Sequence, residues 1–441
     1  MKELHNEIIV VNLLPPEILF RIAELACHTS KSPSDQAVIM TQVCRYWRLV
    51  IGSHPLVWTD VTVKSVTPLS RVTTALRNSR GLPLRLDLQI HVGEDMGLKF
   101  PGRGDAHPGH FRFADFRPPP EPFAILSVLE PYHKQIQGLQ IQFLYDGQKY
   151  DGSAEQFIRN PFFRCSFDVL DSLSLSFADA CSPLQRRVAY PSPSAIEGHF
   201  PRLRSLTLSG ITSVLHPGLQ CPAIESLSID FPDYPTYGNT GVEGRALAFL
   251  KQHPALISLT IKEQRVDEPV KFCRLKSVTL LEEGFDRTIK NGVYPTSLTV
   301  MTSLTIQATD LVTIAASDKD GNSITCSARH PAHIATTWGA FLWFARNGVE
   351  DLHLDLSNDT PSLYAVLSVL SAVKTVHMAW ANDRMEGVVK TVAGYLSYWR
   401  RGWHRKIQIR RWVKDEEDPW TAASRDDAFK LYASRWDWEC V

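Results

Sequence analysis

The sequence predicts an α/β chain: a small three-helix module at the N-terminus, then an irregular array of strands and helices built round a parallel sheet. Three observations predict it. Two helix-start signals and a tryptophan-bearing apolar segment crowd the first 60 residues. From Val61 onward, a word of the Leu-x-Leu kind recurs eleven times. Between several of these words the apolar spacing lengthens from two to three and four, the change that separates strand from helix.

The first helix opens at Leu13-Leu14-Pro15-Pro16-Glu17-Ile18-Leu19. Proline is tolerated in a first turn, where the amide it lacks has no partner, and Glu17 suits the positive end of the helix dipole. Ile18, Ile22 and Leu25 make one apolar stripe, and Leu19, Ala23 and Ala26 an adjacent one. A second start lies at Ser32-Pro33-Ser34-Asp35, where Ser32 is placed to cap and Asp35 to complete a capping box. Val38, Ile39 and Val43 lead from it into Cys44-Arg45-Tyr46-Trp47-Arg48-Leu49-Val50, and Gly52-Ser53-His54-Pro55 ends the run. Helices this short, with apolar stripes on more than one side, cannot bury all of them internally.

The order Leu-Pro-Pro-Glu-Ile (14–18), Val-Cys-Arg-Tyr-Trp-Arg (43–48) and His-Pro-Leu-Val-Trp (54–58) resembles the F-box, in the form expanded among fungal F-box proteins. The resemblance covers residues 12–62, and departs from the family in the longer, more polar link at 27–31. It implies docking to a Skp-type adaptor, and through that adaptor to a cullin in a RING-type ubiquitin ligase. By motif position it places Leu14, Pro15, Pro16, Ile18 and Leu19 at the start of the contact. Val43, Cys44 and Trp47 continue it, and Pro55 and Trp58 close it. Aromatic anchors dominate such interfaces, which makes Trp47 and Trp58 hot-spot candidates. The other reading of each is a core side chain of the module.

The eleven strand words are Leu86-Leu88, Leu139-Ile141, Leu173-Leu175, Leu206-Leu208, Leu227-Ile229, Leu259-Ile261, Val278-Leu280, Leu304-Ile306, Leu352-Leu354, Val376-Met378 and Ile407-Ile409. Alternation turns the apolar pair inward and the intervening residue outward. Leu206, Leu227 and Leu259 are therefore expected in the core, with Thr207, Ser228 and Thr260 on the open face. Helical spacing at Leu69, Val72 and Leu76 precedes the first word. Similar spacing at Ile334–Leu342, Leu363–Leu370 and Val389–Trp399 precedes later ones. Steps between words run from 19 to 53 residues, a range that signals a solenoid of strand–helix units. Residues 63–414 resemble a degenerate leucine-rich-repeat region, degenerate because the Asn or Cys that follows the strand in regular repeats is mostly missing. Loop insertions are expected near 93–122, 181–201 and 231–243, and a cap or tail over 415–441. A two-sheet antiparallel sandwich would need polar two-residue hairpins, which the sequence does not display.

Composition narrows the function. Lys+Arg and Asp+Glu both number 47, which argues against a nucleic-acid coat or a polybasic membrane binder. The eight cysteines are scattered, none closer than 165 to 181, unlike a disulfide framework or zinc site. The start of the chain lacks a signal peptide's apolar core, and no run reaches a membrane span of ~18 apolar residues. A cytoplasmic or nuclear, non-secreted protein is expected. The phosphate-cradling loops, the H-E-x-x-H zinc motif and the G-x-S-x-G elbow are all missing. His107 and His110 alone do not fill a metal site. Neither catalytic residue, metal nor cofactor is expected.

Nine of eleven tryptophans lie beyond residue 330, beside the basic run Arg400-Arg401-Gly402-Trp403-His404-Arg405-Lys406. The open face carries mostly Ser and Thr in its middle, whereas His353, Asp355, His377, Lys406 and Arg410 gather charge and rings at its C-terminal end. These five are the candidate contacts for a protein substrate. The alternative is an end cap whose aromatics cover the last repeat. The resemblance thus implies a non-catalytic substrate-recognition adaptor that acts by proximity. A repeat scaffold without a ligase role, and an enzyme with a site assembled from scattered residues, remain the two rivals.

Overall fold

The computed structural model describes residues 14–30, 32–64, 67–92, 122–145, 157–158, 160–177, 198–209, 219–230, 247–262, 270–281, 303–308, 312–328, 349–356, 375–379 and 408–411. The chain divides into two compact units, residues 1–228 with 234–249, and residues 229–233 with 250–441. Among the described residues helices are few and strand pairing is mostly parallel, so the predicted α/β class holds at that level.

In the first unit three helices come first: α1 (Pro16–Thr29), α2 (Pro33–Thr41) and α3 (Arg45–Ser53), followed by a 3-10 turn at Pro55–Trp58. Both expected prolines sit in first turns, and Glu17 and Asp35 lie at the positive ends of their helices. The expected capping box does not form. Ser32 Oγ makes no hydrogen bond, and Asp35 instead pairs with Arg71 at 2.8 Å. The stronger attraction of a guanidinium outcompetes a backbone amide for that carboxylate. The chain breaks between α2 and α3, where Cys44 becomes the cap and its sulfur accepts from the Trp47 amide at 3.5 Å. Tyr46 donates its hydroxyl to the Leu14 carbonyl at 3.1 Å, tying the start of α1 to α3.

Strand β1 (Asp60–Val63), helix α4 (Leu69–Asn78) and strand β2 (Leu84–Val92) follow, with β1 and β2 parallel. Val72, Ala75 and Leu76 bury the inner face of α4, as the helical spacing predicts. Helix α5 (Pro122–Leu129) and a 3-10 stretch at Glu130–Gln135 lead to β3 (Ile136–Tyr145), then β4 (Ser172–Phe177) and β5 (Ser205–Ser209), each parallel to its predecessor. Strand β6 (Ser226–Asp230) carries residues of both units.

A repeated backbone device builds these strands. Phe167-x-x-Leu170, Phe200-x-x-Leu203 and Cys221-x-x-Ile224 each close a tight turn, with the fourth residue's amide donating to the first's carbonyl. All six side chains are buried. The carbonyl of the residue before each strand then receives two amides from the next rung: Arg204 and Ser205 donate to Asp171, and Glu225 and Ser226 to Arg204. Beneath them Phe167 and Phe200 stack at 5.4 Å between centroids, and Phe162 meets Phe167 edge-on at 5.2 Å. Residues 198–200, inside the expected 181–201 loop, belong to this ladder through the His199 bridges to Ser166 and Gln220.

In the second unit β7 (Ser258–Lys262) and β8 (Ser277–Leu281) continue the same word, and Lys276 and Ser277 both donate to the Ile257 carbonyl. Leu206, Leu227 and Leu259 are buried in their respective strands, and Thr207, Ser228 and Thr260 are half-buried. Then the pattern departs from expectation. Strands β9 (Ser303–Ala308), β10 (Val312–Ser317) and β11 (Ser323–Ala328) form an antiparallel meander. It is inserted in reverse order, so that β11 pairs with β8 and β9 with β12 (Asp351–Leu356), both in parallel. Strands β13 (Thr375–Ala379) and β14 (Gln408–Arg411) extend the parallel pairing. The wholly parallel sheet expected from the words is corrected here: β10 runs antiparallel to both its neighbours. Most of the three predicted insertions, the helical patterns after residue 330 and the 415–441 tail lie outside the described residues.

Candidate functional site

The ten expected adaptor contacts separate by burial. Leu19, Trp47 and Trp58 are 0%, 8% and 2% exposed, so the interface anchors expected of the two tryptophans are core side chains. The reason is local. The 3-10 turn folds Trp58 back under α3, where its indole reaches the Ile51 carbonyl, and the Leu19–Ala23–Cys27 side of α1 closes the module from another direction. Leu14, Cys44 and Pro55 are half-buried. Pro15, Pro16, Ile18 and Val43 are exposed.

Those exposed members have company that the motif did not name. Among the described residues, the large apolar side chains left in solvent are Ile18, Ile22, Leu25, Ile39, Val43, Leu49 and Leu56, and all fall within the helical module. Ile18, Ile22 and Leu25 are the first apolar stripe of α1, 48%, 37% and 51% exposed, while its neighbouring stripe supplies the core. The signal was present in the sequence, since a helix with two apolar stripes cannot bury both in a module this small. The start of α2 is committed within the chain: Ser34 Oγ accepts from the Thr62 amide of β1 at 3.3 Å, and Asp35 holds Arg71 of α4.

Four of the five expected substrate contacts, His353, Asp355, His377 and Arg410, lie on the C-terminal strands of the second unit. Backbone register sets His353 beside His377 and His377 beside Arg410, one row across β12, β13 and β14, while Asp355 stands two residues along opposite Gln307. His353 is half-buried, and burial lowers its imidazole pKa, opposed by the charge of Asp351. The side chains of Asp355, His377 and Arg410, and all of Lys406, lie outside the described part. Among the described residues no three His, Cys, Asp or Glu side chains gather as a metal site, and no helix is long and apolar enough to cross a membrane.

No family model, curated protein or solved structure matches the chain.

Proposed function

We propose that this protein is a non-catalytic substrate-recognition adaptor of a cullin-RING ubiquitin ligase. Its helical module, read as an F-box, docks a Skp-type adaptor, and its strand array, read as a degenerate leucine-rich-repeat solenoid, holds a protein substrate. The observation that carries this reading is the concentration of exposed large apolar side chains between Ile18 and Leu56. Large apolar side chains gathered in one small module and left in solvent support a surface that meets another chain. The motif order at 14–18, 43–48 and 54–58 supports the Skp-type identity of that chain. The repeated Phe-x-x-Leu-x-Ser-Leu-x-Leu rung supports the solenoid. The row of His353, His377 and Arg410 supports a recognition surface on the C-terminal strands. Ubiquitin transfer then follows from proximity, with no bond made or broken by this chain.

A specific observation favours one rival. The module is fastened to β1 and α4 through Ser34 and Asp35, as an N-terminal cap would be. Co-expression with a Skp-type adaptor separates the two. The adaptor reading expects co-purification that Ile18→Asp with Ile22→Asp abolishes, with an unchanged melting temperature because both side chains are exposed. Failure of the wild-type chain to capture the adaptor would favour the scaffold.

A further inference from the structure

Helix α3 turns Arg45, Arg48, Leu49 and Gly52 to one side, the i, i+3, i+4 and i+7 positions of a single helix face. Arg45, Arg48 and Leu49 are exposed, and so are Ile39 of α2 and Val43 just past its end. Arg48 joins the two helices. Its Nε donates to the Thr41 carbonyl at 3.1 Å, which leaves the two terminal nitrogens of its fork for another acceptor.

This face is apolar and positive at once. No Asp or Glu occurs between Gln36 and Thr59. The ion pairs among the described residues are Arg21 with Glu24 and Arg71 with Asp35, so neither Arg45 nor Arg48 has a carboxylate partner there. Gly52 adds an independent sign. A glycine inside a helix costs stability against alanine. Nothing in the chain lies within 4 Å of the Cβ that another residue would place there, and its φ is not left-handed. Neither internal packing nor a helix cap therefore calls for a missing side chain at this position. A chain approaching from outside does, because the distance between packed helices is set by the side chains at their contact.

The occupant's own backbone is constrained too. The backbone groups of α2 and α3 are spent on helical bonds, so this face offers an incoming strand no edge to pair with. A helix, whose backbone bonds are internal, meets an apolar face without that loss. Pairing Arg45 and Arg48, one turn apart, calls for carboxylates spaced likewise.

We infer that the chain docking on this module crosses α3 with an acidic amphipathic helix. Its apolar stripe covers Ile39, Val43 and Leu49, its carboxylates pair with Arg45 and Arg48, and its backbone comes closest at Gly52. The inference rests on the docking reading above and names the chemistry of the partner, through residues of which the sequence motif assigns only Val43.

Surface plasmon resonance tests it, with the full chain immobilised and a Skp-type adaptor in solution at about 0.05 to 0.5 M salt. The association rate of the parent should fall as salt rises, because opposite charges steer the encounter. Arg45→Glu with Arg48→Glu should lower that rate at least about tenfold at low salt and flatten its salt dependence. Gly52→Leu should weaken binding about tenfold or more. Its melting temperature should stay level or rise, since a Cβ meets no neighbour there and leucine favours a helix. Thermal melts verify that each variant is folded. A parent that captures no adaptor overturns this inference together with the docking reading. Capture indifferent to salt or to the arginine pair, faster association of the double Glu variant, or undiminished binding by Gly52→Leu overturns this inference alone.

Discussion

Trp58 donates its indole N–H to the Ile51 carbonyl across 3.0 Å, in the interior of the helical module. That carbonyl lies in the last turn of α3, where acceptors lack helical partners, and it also receives the His54 amide at 3.2 Å. The 3-10 turn is thereby folded under the helix, and the indole is buried inside the module. Trp58→Phe keeps most of the packing and leaves His54 as donor, so a loss of about 1 kcal/mol is expected. Trp58→Ala opens a cavity and should cost about 3–5 kcal/mol. Circular dichroism melts of both variants check the order. An unchanged melt for Trp58→Ala, with adaptor capture alone lost, would return Trp58 to the interface.

Two glycines in the first unit should respond very differently to a methyl group. At Gly198 a Cβ would stand 2.4 Å from the Phe200 ring and 2.7 Å from the Phe163 carbonyl, both fixed in the aromatic core. Gly198→Ala is therefore expected to cost about 1–3 kcal/mol as overpacking. Gly138→Ala meets only a hydroxyl and a flexible arginine stem, and should cost less than about 1 kcal/mol. Denaturant midpoints measure both, and equal losses would contradict the packing described.

The raised pKa of Asp87, caused first by burial and opposed by Lys64, makes a pH prediction with a definite sign. The folded state holds this proton at a pH where the unfolded chain has released it. Stability therefore falls as pH rises from the usual carboxylate range through the folded value, and stays lower above it. Asp87→Asn removes that cost. The variant should melt higher than the parent at neutral pH, and the gap should close as pH drops into the carboxylate range. A gap that widens on acidification would show that Asp87 is stabilised by a partner in its charged form.

Thiol reactivity should follow burial. Burial pushes the Cys221 thiol up to about 12 and the Cys326 thiol well above its usual value. Neither yields a useful fraction of thiolate, the reactive species, at working pH. Cys273 is exposed, with its sulfur 3.2 Å from the Pro254 carbonyl. Iodoacetamide at mildly alkaline pH should modify Cys273 in the native chain and reach Cys221 and Cys326 only after denaturation. Peptide mass mapping reads the outcome site by site.

The strand words were legible because alternation is a local property: Leu206-x-Leu208 needs no knowledge of its neighbours to announce which side faces the core. Short or weakly apolar strands escaped. In β10 the inward pair is Ile314 and Ala316, and alanine carries too little apolar surface to mark a strand. The meander was missed for a related reason, since its turn at Asp318–Asn322 is longer than a two-residue hairpin. It is closed by Asp318 accepting the Asp320 and Asn322 amides and by Gly321 at a φ of 79°. In the helical module the two apolar stripes of α1 were plain, yet which of them faces inward is decided by how α2, α3 and the 3-10 turn close on it. That is a tertiary choice, and it buries Trp47 and Trp58 while leaving Ile18, Ile22 and Leu25 in solvent. The surroundings of Asp87 depend on register between strands more than 20 residues apart, which a single sequence does not encode locally.

The reversed order of β9, β10 and β11 has a consequence for synthesis on the ribosome. In an ordinary strand array each rung contacts the one made just before it, so pairing is able to follow the order of synthesis. Here β9 emerges first of the three but ends furthest from β8, separated from it by β10 and β11. The exposed edge of β8 must wait until Ser323–Ala328 has been made before its lateral partner exists. Growth of the sheet strand by strand in the order of synthesis is therefore interrupted here, because β8 gains its neighbour only when the third strand of the meander exists. A nascent chain halted after Ala308 carries two unfinished edges, which makes this stretch the place where a chaperone has the longest opportunity to bind.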